Sequence, residues 1–286
     1  MAKKLEQLLQ VNKMDKHNNH IDSMFMRESL LDKEVMKTGE GTPTFKMLPD
    51  VHIVKIGASS FLDKGKAVTY PILDEIRKIL KKERLVISTG GGARSKHLFS
   101  VGLDLEMPTG VLAQLAGEDC LGNAHILGTL LSPEGVIAIP PESIGHLLPL
   151  FLKAAPGVVY AGMPPYSLWE HPSKKGNIPS HRTDVGPIIL SETFGFKSVI
   201  LVKDVDGLYD NDPKTHPDAT FIPKINVNEL DKMNLKTLPF NRVVIDVLKS
   251  NKLCNSFQVI NGNNPELIEK AINGEHVGTI VHNDNY

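Results

Sequence analysis

The sequence predicts an α/β protein, a three-layer αβα sandwich around a mostly parallel central sheet. Two observations predict it. From residue 50 onward, short apolar runs rich in β-branched residues alternate with helical patterns, as expected for strands joined by crossover helices. Lysines, glycines and aspartates gather just after several of these runs, and open α/β sheets bind ligands beyond the carboxyl ends of their strands.

The elements follow in order. VHIVKI, 51–56, is a strand. The helix after it carries Pro71 near its first turn and Ile72, Leu73, Ile76, Ile79 and Leu80 on one face. LVIST, 85–89, is the second strand; a glycine run leads from it to a helix near 93–103, and a further helical stretch covers 110–131. VIAI, VVYAG, VILVKD and FQVING read as more strands, each near a helical pattern. Residues 1–46 are different: polar, with Leu5, Leu8 and Leu9 at helical spacing and a second candidate helix, 24–37, stopped by TGEG. They read as an N-terminal extension, either a disordered tail or an intersubunit arm, ahead of one domain at 47–286.

Composition narrows the function. The 286 residues suffice for a sizeable core. A formal net charge of -1 gives no pull towards nucleic acid or acidic membranes. Cys120 and Cys254 form no metal or redox motif, which fits a reducing cytoplasm. No apolar run is long enough to span a bilayer, and the N-terminus lacks a secretory apolar region. The expectation is a cytoplasmic protein with small-molecule ligands and neither nucleic-acid nor membrane partners.

Four motifs are candidates for chemistry. Lys55 ends the first strand and is followed by Gly57; an ammonium beside an approachable backbone can hold phosphate, although a lysine on a solvated strand edge is the simpler reading. In STGGGAR, 88–94, the glycines precede a helix start, where free amides favour anions; Arg94 is a candidate for a bidentate phosphate contact. A tight turn is the alternative, and neither common nucleotide fingerprint is present. In VKDVDGLYDNDPK, 202–214, Lys203 precedes a loop crowded with aspartates. Such residues make turns; they also suit nucleotide binding, with the lysine on phosphate and a carboxylate near Mg²⁺. An EF-hand is excluded, because no glutamate closes the loop. In HRTDVG, 181–186, Thr183 or Asp184 caps a helix, or Asp184 orients Mg²⁺ or a phosphoryl acceptor.

Taken together, VHIVKIGAS, STGGGAR, HRTDVG, VKDVDGLYDNDP and INGEHVGTIV occur in the order found in the amino acid kinase superfamily, which this chain resembles over about residues 50–282. DVDGLYDNDP and GEHVGT look like its uridylate kinase branch. Within that branch TGGGARSKHLFSVGLDLEMPTGVLAQLA, MPPYSLWEHP, IPSHRTDVG, FIPKI and VINGNNP are similar to the molybdenum storage protein subunits. That resemblance implies ATP-driven storage of molybdenum or tungsten as polynuclear oxo clusters inside a hexameric cage, with homo- or hetero-hexamers both open. It places Lys55 on the β- and γ-phosphates, Gly57, Gly90, Gly91 and Gly92 along them, and Lys203 in support. Asp206, Tyr209, Asp212 and Pro213 fall in the nucleotide loop, and Asp184 at the position for Mg²⁺ or phosphate orientation.

The chain also departs from its relatives. SLWEHP leaves only His171 where one storage subunit type has a histidine-rich run, and Pro140 and Phe151 fall near other histidine positions. The remaining candidates for oxometalate or metal contact are Asp119, His125, His146, His171 and His181. Asp119, in GEDCLGN, also resembles the acceptor-contacting aspartate of uridylate kinases. A nucleoside monophosphate or small-acid kinase is therefore the alternative function.

Overall fold

The computed structural model describes residues 43–174 and 176–286. The expected N-terminal helices lie outside the described residues. Residues Phe45–Tyr286 form one compact unit.

Ten strands and eight helices follow in chain order among the described residues. They are β1 (Val51–Ile56), α1 (Lys66–Ile79), β2 (Arg84–Thr89), α2 (Gly92–Asp104), α3 (Thr109–Leu131), β3 (Ile137–Ala138), α4 (Pro141–Ala154), β4 (Gly157–Ala161), α5 (Val185–Phe194) and β5 (Ser198–Lys203). A small hairpin, β6 (Leu208–Tyr209) and β7 (Phe221–Ile222), comes next. The chain ends with β8 (Lys224–Asn226), α6 (Val227–Met233), α7 (Val243–Ser250), β9 (Ser256–Asn261), α8 (Glu266–Ile272) and β10 (Thr279–His282).

Eight strands form one sheet in the order β3-β4-β2-β1-β5-β9-β10-β8. Every pairing is parallel except β9 with β10. The expected parallel sheet is therefore present, with one antiparallel turn-back near an edge. Both edge strands, β3 and β8, are very short.

The pleat sorts side chains onto two cores. Val51 and Ile53 of β1 join a cluster with α4, α5 and α7; Val54 and Ile56 join another with α1, α3 and α8. Helices thus cover both faces, giving three layers. Each fully buried Ile or Leu contributes roughly 1.5–3 kcal/mol, so strands buried along their whole length hold the middle layer. The same alternation decides where Lys55 points. It shares the parity of Val51 and Ile53, hence the face that α5 covers. On the adjacent strand Lys203 shares the parity of Val199 and Leu201, which lie on that face too.

The helix expected to start near Pro71 begins one turn earlier. Gly65, at φ +77°, turns the chain into α1, and Pro71 sits in the second turn. No helix of the described residues is long and apolar enough to cross a membrane.

Candidate nucleotide site

At the carboxyl ends of β1 and β5, two buried charges and one half-buried charge, that of Lys203, form a knot. Lys55 Nζ lies 2.8 Å from Asp184 Oδ1, and Lys203 Nζ donates to the same oxygen at 2.8 Å. Asp184 is 4% exposed and Lys55 5%. Asp184 reaches them because α5 starts directly after it. Its other oxygen, Oδ2, accepts from the Asn241 amide at 3.0 Å, and its own amide donates to Asn241 Oδ1 at 3.2 Å. Lys55 therefore meets a carboxylate.

Burial by itself raises the Asp184 pKa, but the Lys203 and Lys55 charges reverse this and hold the carboxyl well below its usual range. Burial, together with the like charge of Lys55, lowers Lys203 to about 8, while Asp184 opposes the shift. One carboxylate facing two lysines leaves an excess of positive charge at the sheet's end. Among the described residues no three His, Cys, Asp or Glu side chains converge as a metal-holding group. Asp184 has both oxygens engaged, so the donor set does not fit a Mg²⁺ ion held by protein groups. Its geometry is that of an organiser of the two lysines.

A cavity of about 400 Å³ opens over the knot. Lys55, Gly57, Gly90, Gly91, Gly92 and Lys203 line it, and so do Lys96, Arg182, Asp204 and Asn241. Two of the glycines are required by the geometry. A Cβ on Gly91 would meet Ser95 Oγ at 1.6 Å. Gly92 has φ +68°, and a Cβ there would meet Asp63 Oδ2 at 2.4 Å. Gly57 is under no such demand, since a Cβ there would come no closer than 3.4 Å to its neighbours.

Asp63 itself occupies part of the expected anion site. Its Oδ2 accepts from the Ala93 amide at 2.7 Å, at the first turn of α2. Arg94 does not line the main cavity. It donates to Asn123 Oδ1 and, at 3.4 Å, to the Asp119 carbonyl. Asn123 in turn donates to the Gly90 carbonyl at 2.7 Å. Arg94 thus braces the glycine turn from behind, because α2's phase aims residue 94 at α3.

The nucleotide-loop residues line a neighbouring hollow of about 220 Å³ that includes Tyr209, Asp212 and Pro213 and shares Val205, Leu238 and Pro239 with the main cavity. Asp206 stands aside, accepting from Asn261 Nδ2 at 2.7 Å and Tyr209 Oη at 3.3 Å. Asp212 Oδ1 caps the Lys214 amide at 2.9 Å. Asp204 ties the two loops together. It accepts from Ser60 at 3.0 Å and lies 3.7 Å from Lys64 and 3.9 Å from Lys214.

The five candidate metal contacts are not brought together. Asp119 accepts from Ser95 at 3.3 Å beside the main cavity. His125, His146 and His171 are exposed. His181 Nδ1 lies 3.0 Å from Glu170 Oε1, a carboxyl whose side chain is 1% exposed. Cys120 lines the cavity, yet burial pushes its thiol up to about 12, so it is no nucleophile.

Asn241 and Glu170 escaped the sequence reading. Asn241 acts on Asp184 from 57 residues away, and no local spacing announces it. Glu170 follows the only tryptophan in a loop without periodicity.

Fold and site together define a class, that of the amino acid kinase family, whose sequence profile matches residues 158–261. The UMP kinase of Ureaplasma parvum superimposes with a TM-score of 0.62 at 20% identity, covering 82% of this chain and 100% of that one. The uridylate kinase of Thermofilum pendens is 30% identical over 80% of this chain and 96% of its own length. The molybdenum storage protein subunit beta of Azotobacter vinelandii is 41% identical over 91% of this chain and 96% of its own. This chain belongs to the molybdenum storage protein family.

Proposed function

We propose that this chain binds ATP in the cavity over the Lys55–Asp184–Lys203 knot. As a subunit of a cytoplasmic cage, a hexamer of one or two subunit types, it couples ATP cleavage to storing molybdenum or tungsten as polynuclear oxo clusters. The knot carries the reading. Phosphoryl transfer asks a protein mainly for positioning and charge neutralisation, and two lysines fixed by one carboxylate beside a glycine turn offer both. Lys55 and Lys203 then contact the β- and γ-phosphates, and Gly57 and Gly90–Gly92 line the chain of phosphates. The nucleoside lies in the hollow with Tyr209, Asp212 and Pro213. The similarity to a molybdenum storage subunit supports the cargo. The boundary near residue 46 and an intersubunit role for the preceding extension belong to the same proposal.

The test is bound molybdenum and tungsten per chain after incubation with Mg-ATP and oxoanion, beside a control without ATP. Many metal atoms per chain, appearing only with ATP, are expected. Metal no higher than the control defeats the storage function. A uridylate-type kinase is the second reading, favoured by Asp119 held beside the cavity by Ser95 and by the uridylate kinase relatives. It predicts ADP formation stimulated specifically by UMP.

A further inference from the structure

The described residues include five arginines, Arg77, Arg84, Arg94, Arg182 and Arg242. The guanidinium groups of four have protein partners. Arg77 pairs with Asp74 and Glu134, Arg84 and Arg242 donate to carbonyls, and Arg94 donates to Asn123. Arg182 is the exception: its Nε is buried without a protein partner among the described residues, and it forms no ion pair there. Arg182 is one of the residues that line the main cavity.

The carboxylates around it are committed elsewhere. Asp184 serves two lysines and the Asn241 amide. Asp204 serves Ser60, Lys64 and Lys214, and Glu170 serves His181. The segment is also packed against the glycine turn, since a Cβ on Gly90 would meet Thr183 Oγ1 at 3.1 Å. A desolvated donor without an acceptor is costly. A guanidinium fork matches two oxygens of a phosphate-like group, which a lysine ammonium does not.

We propose that Arg182 is an oxoanion-binding residue, holding a tetrahedral dianion against the Gly90–Gly92 turn. The anion is either the terminal phosphoryl group of ATP or a free oxoanion of the molybdate class bound beside it. The proposal rests on the reading of the cavity as a nucleotide site and adds a specificity residue to it.

The experiment uses the full chain with Arg182→Gln and Arg182→Lys. ADP and the non-hydrolysable analogue AMP-PNP are titrated calorimetrically, and ADP release is followed against molybdate. If the anion is the terminal phosphoryl, Arg182→Gln weakens AMP-PNP about tenfold or more and leaves ADP unchanged. If it is a free oxoanion, both nucleotides bind as before and the molybdate concentration for half-maximal release rises about tenfold or more. Either result supports the proposal. Unchanged titrations throughout overturn it, and so does equal weakening of ADP and AMP-PNP. Should Arg182→Gln not fold, Arg182→Lys keeps the charge, lacks the fork and must show the same selective loss. Wild-type protein that binds both nucleotides but accumulates no metal sinks the storage reading alone, and leaves the AMP-PNP against ADP comparison intact.

Discussion

The knot at the end of β1 and β5 and the scattered histidines make an instructive pair. Lys55, Asp184, Lys203 and Asn241 come from four separate parts of the sequence and converge within hydrogen-bond distance, with Lys55 and Asp184 buried. Asp119, His125, His146, His171 and His181 converge on nothing within the described residues of this chain. A site whose groups hydrogen-bond one another can be completed by one chain. The exposed imidazoles of His125, His146 and His171 become a site only when another surface brings acceptors or further ligands to them. The two groups therefore call for different experiments, the first on an isolated chain and the second on the assembly.

The largest effect is expected from Asp184→Ala. Removing the shared acceptor leaves the buried Lys55 and the half-buried Lys203 unneutralised, and breaking a buried pair in this way costs about 3–5 kcal/mol. Denaturant unfolding should show that loss, and a change below about 1 kcal/mol would mean the knot relaxes into solvent. Next comes Lys203→Ala or Lys55→Ala. A lost charge-assisted hydrogen bond of about 1.5–3 kcal/mol weakens ATP roughly 10- to 100-fold in calorimetric titration. Affinity equal to wild type in both variants would remove the nucleotide from this cavity.

A subtler effect follows from the lowered pKa of Lys203. The unfolded chain keeps that proton up to the ordinary value of 10.5, and the folded, ligand-free chain releases it at about 8. Between these values the unfolded state binds more protons, so the Lys203 contribution to stability rises with pH. Over the same window ATP affinity falls, because the neutral amine no longer attracts phosphate. Lys203→Arg, which stays charged, should flatten the affinity profile; an unchanged slope would assign the titration to another group. The smallest effects belong to the histidines. His125→Ala and His146→Ala are exposed surface changes expected within about 0.5 kcal/mol of wild type. His181→Ala strips the imidazole from buried Glu170 but leaves the residue-181 amide on the same oxygen, and costs about 0.5–1.5 kcal/mol. Thermal melts of the three variants would order them.

Much of this was legible in the sequence. Strand–helix alternation foretells the parallel sheet, and the apolar runs ending in Lys55 and Lys203 mark two strand ends that meet at the site. The hairpin β6–β7, the edge strand β8 and the antiparallel β10 were not foreseen. Two to four residues carry no readable period. Long-range polar contacts were equally silent. Asp63 takes the Ala93 amide from 30 residues upstream, and the aim of Arg94 depends on a helix phase that STGGGAR does not specify.

The short edge strands have a further consequence. A sheet grows by lending unpaired backbone amides and carbonyls to a stranger's strand, and among the described residues its two border strands are only Ile137–Ala138 and Lys224–Asn226. Even at high local concentration this sheet presents few such groups. Copies meeting in a crowded solution are steered towards contact through helices and loops, and away from fibril-like stacking.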